Sequence, residues 1–256
     1  MQQSINKASA NNGENTATKC IIGASGTNNN VTDNWLDGCL NDVRIYDHAL
    51  SDKEVEEISK GLILHYKLDN IFDNKNIYDS SGYNNNGTII GSPSFPIIDT
   101  ARYNYTIHFT AKNQKIKIEN LTTTGFNDSY SFAWWEKINS VDLMHWGFAN
   151  GIRLNGMYTG RLWNTGDGNN NPLYIPGTTT RVTAPSINVW HHWVMTGDGT
   201  KCKVYQDGEL WAEAKTYKRI SGTTIYLNGW AEDTIYSSDN ASMSDFRIYA
   251  TALTEE

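Results

Sequence analysis

The chain has 256 residues, of which 19% are charged and 12% aromatic, with 29 Asn, 21 Gly and a formal net charge of −7. Trp and Tyr are too abundant for a disordered chain, five Pro without a Gly-X-Y period exclude collagen, and no apolar run approaches the roughly 18 residues of a membrane helix. The acidic balance, with no long Lys/Arg cluster, argues against nucleic acid and anionic membrane as main partners.

Residues 1–17 are polar and rich in Asn, Ser and Ala, and read as a loosely ordered segment without the apolar stretch of a signal peptide. Cys20, Cys39 and Cys202 form neither a metal pattern nor a disulfide framework and read as free thiols. Six Asn-x-Ser/Thr sequons, Asn30, Asn86 and Asn120 among them, follow from the Asn- and Thr-rich composition rather than from glycosylation.

The first strong signal is a repeat. Leu40-Asn-Asp-Val-Arg-Ile-Tyr-Asp-His-Ala-Leu50 returns 203 residues later as Met243-Ser-Asp-Phe-Arg-Ile-Tyr-Ala-Thr-Ala-Leu253, with six of eleven positions identical. Directly after the first copy, Ser51 and Glu54 make a capping box, Leu50 and Val55 a hydrophobic staple, and Gly61 a C-terminal stop, so a short helix is expected over 51–60. The first copy and its helix read as the end of one repeat unit, 18–62, and residues 63–256 as nearly all of the next.

Beyond the helix the chain reads as strands and turns. Leu62–Leu68 is apolar enough for a buried strand. Tyr103, Tyr105, Ile107 and Phe109 alternate with polar residues, as a half-buried strand requires, and Ile116 and Ile118 continue that pattern. Tyr130–Trp135, Val189–Met195 and Lys201–Tyr205 are further strands, the last closed by the Asp207-Gly208 turn. Turn residues recur every 8–15 positions and no other helical period lasts two turns. The expected fold is all-β, a two-sheet antiparallel jelly-roll sandwich with one short helix.

Six segments carry a family resemblance: Leu64-His65-Tyr66-Lys67-Leu68-Asp69, Tyr78-Asp79-Ser80-Ser81-Gly82, Ser129–Trp135, Asn188-Val189-Trp190-His191-His192-Trp193, Val204-Tyr205-Gln206-Asp207-Gly208 and Ser244–Tyr249. In this order they resemble the laminin-G-like, concanavalin A-like lectin/glucanase superfamily over about 63–256. Residues from about 18 to 61 resemble the last strands and terminal helix of a second such domain. The resemblance implies a jelly roll and, at the sandwich rim, a structural Ca²⁺ held through Asp79 and Asp245; the alternative is that Asp79 caps a turn and Asp245 pairs with Arg247 or a Lys.

Sugars stack on aromatic rings while amides and charges meet their hydroxyls. Trp146, Arg153, Asn155, Tyr158, Arg161 and Trp163 lie in one short stretch, and Trp230 lies in a Gly-rich loop, so these are the candidate ligand contacts. The alternative for each Trp is a place in the core. No paired-acid glucanase motif is present; Glu209 and Glu213 have no acid midway and read as surface charge. His191 and His192 have no evident Ser or Cys nucleophile near them in sequence, and read as packing and hydrogen-bonding residues. The expectation is a non-catalytic carbohydrate-binding or adhesion module, with a glycan or cell-surface polysaccharide and neighbouring repeats as partners, at an extracellular surface or on a virion. A structural protein–protein module of a phage tail or fibre is the alternative, and a glycoside hydrolase a further one.

Overall fold

Nine residues, Ala241–Tyr249, form the strand around which the larger sheet is built, and their alternation shows why. Met243, Phe246 and Ile248 are buried against the opposite sheet, while Arg247 on the other side of the pleat keeps its guanidinium at the edge of solvent. This is a computed structural model. It describes residues 22–23, 25–27, 30–33, 36–38, 43, 45–46, 48–68, 75–99, 104–111, 113–121, 129–138, 152–154, 157–159, 161–162, 171–175, 178–182, 185–214, 224–228 and 240–254. The chain divides into two units, Met1–Ala49 and Leu50–Glu256.

In the first unit, strands β1 (Ser25–Thr27) and β2 (Asn30–Asp33) pair as an antiparallel hairpin. Leu36 N–H donates to the Gly23 carbonyl at 2.8 Å. Val43 and Ile45, within the first copy of the repeated segment, are 53% and 78% exposed.

The second unit opens with helix α1 (Asp52–Ser59). The capping box forms as the sequence demands: Glu54 N–H donates to Ser51 Oγ at 3.3 Å, and Ser51 N–H donates to Glu54 Oε2 at 2.8 Å. Gly61 follows at φ 77°, a left-handed conformation that favours glycine. Its carbonyl accepts from Ala250 N–H at 2.8 Å, so the helix end is fixed to the end of the final strand. The helix that the sequence assigns to the preceding repeat is therefore held on the sandwich that follows it.

The strands of this unit are β3 (Leu62–Tyr66), β4 (Asn76–Ile77), β5 (Gly87–Ile90), β6 (Ser94–Asp99), β7 (Asn104–Phe109), β8 (Lys115–Ile118) and β9 (Tyr130–Ile138). They continue with β10 (Ile152–Leu154), β11 (Met157–Thr159), β12 (Arg161–Leu162), β13 (Asn171–Ile175) and β14 (Thr178–Val182). The last are β15 (Trp190–Gly197), β16 (Cys202–Gln206), β17 (Glu209–Glu213), β18 (Ile225–Leu227) and β19 (Ala241–Tyr249). One sheet runs β17-β16-β15-β9-β19-β7-β6, with β3 also on β19; a second runs β18-β8-β5-β4. Along one side β19 pairs first with β7 and then with β3, and along the other with β9, all antiparallel.

The core lies between these two sheets. Trp134, Trp193, Phe132, Phe246, Tyr66, Ile107 and Ile248 come from the larger sheet, and Ile77, Ile116, Ile118, Ile225 and Leu227 from the smaller. Phe246 sits among three rings, with centroids 6.3 Å from Tyr66, 6.5 Å from Phe132 and 6.5 Å from Trp134. Burying one such side chain contributes about 1.5–3 kcal/mol. Trp134 and Trp193 are thus core rings, and the all-β sandwich read from the sequence is the observed architecture. Among the described residues no helix is long and apolar enough to cross a membrane.

Candidate functional site

Strands β9 and β15 pair in the register Trp190↔Lys137, His191↔Glu136, His192↔Trp135 and Trp193↔Trp134. Alternation sends Trp134, Glu136, His191 and Trp193 to the core side. Glu136 is buried there and accepts from Trp134 Nε1–H at 3.3 Å. Trp193 meets Trp211 edge-on, with centroids 4.9 Å apart. The opposite face carries four half-buried side chains. The Trp135 and His192 rings lie 4.9 Å apart at 34°, and Lys137 Nζ lies 5.0 Å from the centre of the Trp190 ring. A cation over an indole face is an attractive contact of about 0.5–2 kcal/mol.

The start of β15 is clasped by the β16–β17 hairpin. Asp207 and Gly208 have φ of 53° and 89°, the two positive values that a tight antiparallel hairpin turn requires. Asp207 N–H donates to the His192 carbonyl at 2.8 Å, and Asp207 Oδ1 accepts from His192 N–H at 2.8 Å. The second carboxylate oxygen faces His191 Nδ1 at 2.6 Å, and Gln206 Nε2 lies 2.8 Å from the same nitrogen. On the far side of the ring, His191 Nε2 lies 2.9 Å from Ser186 Oγ.

Sequence reasoning found no serine beside the two histidines, and the structure supplies one. Asn188 at φ 61° turns the chain back, and its N–H donates to the Ile138 carbonyl at 2.7 Å, which returns Ser186 to His191. The signal present in the sequence was a serine five positions before His191 and an Asp-Gly turn sixteen positions after it. His192 does pack and hydrogen-bond, as read.

The candidate sugar contacts fall differently. Trp146, Asn155, Trp163 and Trp230 lie outside the described residues. Arg153 and Tyr158 are directly opposite each other in the β10–β11 hairpin, which lies beside β18; Arg161 opens β12. Glu213 pairs with Lys201 Nζ at 2.6 Å and Glu209 is exposed, so this acid pair is surface charge.

Asp79 and Asp245 are hydrogen-bond hubs. Asp79 Oδ1 accepts from His65 N–H at 2.8 Å and Ser81 N–H at 2.9 Å; Oδ2 accepts from Ser81 Oγ–H at 2.8 Å and Asn85 N–H at 3.0 Å. Asp245 Oδ1 meets His65 Nε2 at 2.7 Å and Arg247 Nε at 3.0 Å, and Oδ2 accepts from Arg247 Nη2 at 3.1 Å. Burial pushes the Asp245 carboxyl upward, but the His65 hydrogen bond and the Arg247 charge outweigh it and hold the group well below the usual carboxylate range. The donor set does not fit Ca²⁺, because N–H and O–H groups already occupy the oxygens that a hard cation would need. Among the described residues no group of three or more His, Cys, Asp or Glu side chains is arranged to hold a metal. Asp79 organises a turn and Asp245 pairs with Arg247.

Residues 110–256 match the family profile described as the concanavalin A-like lectin/glucanases superfamily, laminin-G type 3. The match spans more than half of the chain, which therefore belongs to this family. No curated protein matches the chain. Among solved structures it is similar to the botulinum neurotoxin serotype D ligand-binding domain in complex with N-acetylneuraminic acid, at TM-score 0.56 and 18% identity over 79% of this chain and 50% of that one. The botulinum neurotoxin serotype G binding domain is similar at TM-score 0.56 and 16% identity, over 76% and 49% of the two chains. A Trypanosoma rangeli sialidase in complex with 2,3-difluoro-KDN is similar at TM-score 0.58 and 11% identity, over 76% and 31%. The chain thus spans about half the length of the toxin domains it resembles. At these identities the likeness is one of fold.

Proposed function

We propose that the chain is a carbohydrate-binding module of the adhesion type. The observation that carries this reading is the ladder on one face of the larger sheet, Trp190 beside Lys137 and Trp135 beside His192. Indole faces suit the apolar side of a sugar ring, and the neighbouring cation and imidazole suit its hydroxyls or an acidic group. Membership of a lectin superfamily supports the reading, as does a similar toxin domain whose structure is a complex with N-acetylneuraminic acid. Trp146, Arg153, Asn155, Tyr158, Trp163 and Trp230 are proposed as further ligand contacts. The test is a glycan array probed with the whole chain, sialylated and neutral glycans included. Binding to at least one class is expected, with at least a tenfold loss in Trp135→Ala or Trp190→Ala; no binding at millimolar sugar overturns it.

A second reading, a repeat within a larger surface or virion assembly, is favoured by one contrast. Val43 and Ile45 are 53% and 78% exposed, whereas Phe246 and Ile248, their counterparts in the second copy of the motif, are 1% and 0% exposed. Apolar side chains left open in this way suit burial by another sandwich. Light scattering and amide exchange on the whole chain test it. Self-association with slow exchange at 43–46 supports it, and a monomer with fast exchange there counts against it.

A further inference from the structure

We propose that Ser186, His191 and Asp207 form an acyl-transfer centre that hydrolyses short-chain carboxylic esters. The three groups stand in the order such a centre needs, with Ser186 Oγ 2.9 Å from His191 Nε2 and His191 Nδ1 2.6 Å from Asp207 Oδ2. An ionised carboxylate only accepts, so the neutral imidazole carries its proton on Nδ1 and presents Nε2 as a base to the serine hydroxyl. Gln206 Nε2 lies 2.8 Å from the same Nδ1, so a proton on Nδ1 requires this amide to turn its oxygen to the ring. Asp207 is itself fixed: its other oxygen accepts from His192 N–H, and its backbone forms the hairpin turn. The nucleophile is reachable while its base is sheltered, since Ser186 is exposed and the His191 side chain is only 12% exposed. Ile187 and Val189, beside Ser186 in the chain, are 42% and 46% exposed and offer an apolar surface to a small acyl group.

The reaction is balanced without a co-reactant. Ser186 Oγ attacks the ester carbonyl carbon as its proton passes to His191 Nε2. The C–O bond to the alcohol breaks, and the alcohol leaves with that proton. Water then attacks the acyl-serine, gives a proton to Nε2, and the acid departs as Ser186 recovers its hydrogen. Ser186 and His191 are the catalytic residues, and Asp207 is a positioning residue. This chemistry is independent of the glycan-binding reading and of glycosidic cleavage.

The test treats the whole chain with a fluorophosphonate probe and, separately, with p-nitrophenyl acetate. One adduct per chain on the Ser186 peptide is expected. Ser186→Ala, a change at an exposed hydroxyl, abolishes both labelling and turnover, and His191→Gln slows them by about 10²–10⁴-fold. Asp207→Asn lowers the rate and moves the midpoint of its pH profile, which a purely structural clasp would not do. Absence of an adduct at Ser186, or ester turnover that Ser186→Ala retains, overturns the proposal. If His191→Gln fails to fold, wild type against Ser186→Ala decides alone.

Discussion

Glu57 of the helix and Arg247 of the final strand are 190 positions apart in the chain, yet Glu57 Oε1 accepts from Arg247 Nη1 at 3.2 Å. The same carboxylate takes the Tyr249 hydroxyl on its other oxygen, and Arg247 turns Nε and Nη2 to Asp245. Helix, final strand and His65 of β3 are thereby joined through one row of polar contacts. Each end of the Glu57–Arg247 pair is under a fifth exposed, which places it between a surface bridge and a buried one.

Glu57→Ala should therefore lower stability by about 1–2 kcal/mol, the worth of hydrogen bonds to charged groups discounted for partial exposure. Urea unfolding measures the loss. A cycle with Arg247→Met should show coupling between the two changes, because each removes the partner of the other.

The Asp245 carboxyl gives stability a definite pH direction. Its folded-state pKa is depressed, so its contribution is present above the ordinary carboxylate value of about 4 and is lost as pH falls toward the folded value. Melting temperature measured from about pH 3 to 7 should fall toward acid in the wild type. In Asp245→Asn the acid limb should be flatter, with the gap between the two widest near neutrality. Asparagine keeps the backbone, since it tolerates the φ of 51° found at this position.

The two copies of the repeated motif predict unequal sensitivity. Phe246→Ala removes a ring at the centre of the core and should cost about 3–5 kcal/mol. Val43→Ala, at the matching position of the first copy, should change stability by less than about 0.5 kcal/mol, because the side chain is exposed. Chemical denaturation of both variants checks the contrast.

Gly197 lies opposite Tyr130 in the β9–β15 ladder, and a Cβ there would run into the Tyr130 ring. Gly197→Ala should destabilise by about 1–3 kcal/mol through overpacking. In a thermal melt, adding Tyr130→Ala to Gly197→Ala should cost less than the two single losses combined.

Cys202 is a free thiol in the core, and burial pushes its pKa up to about 12 despite a contact from the Tyr130 hydroxyl. Iodoacetamide at neutral pH should leave it unmodified in the folded protein and alkylate it in urea, as peptide mass mapping will show.

Much of the fold was legible because its signals are local. The capping box at Ser51 and Glu54, the glycine stop at 61 and the Asp207-Gly208 turn each act within a few residues, and the structure shows all three. Strand alternation placed Ile107, Phe109, Ile116 and Ile118 in the core for the same reason. The strand expected over Leu62–Leu68 ends at Tyr66, and Leu68 reaches its buried position by adopting a φ of 62°. Periodicity does not encode a single left-handed residue.

The candidate site was less legible. For Asp79 and Asp245 the sequence leaves a cation and a hydrogen-bonded turn or ion pair both open, because the number of donors around each carboxylate is a three-dimensional quantity, and those donors come from residues 65, 81, 85 and 247. Likewise Ser186 acquires meaning only when Asn188 reverses the chain and the hairpin brings Asp207 to the other side of the imidazole.

By itself the sequence determined that this chain folds as a two-sheet β-sandwich of the lectin superfamily, where the helix after Ser51 begins and stops, and which segment recurs. Hydrophobic alternation, capping and turn chemistry are short-range, so they can be read in one dimension. Only the tertiary structure decided which polar side chains meet. Glu57 with Arg247, His65 with Asp245, and Ser186 with His191 and Asp207 depend on strand order and register, which bring together groups whose spacing along the chain carries no mark of their contact.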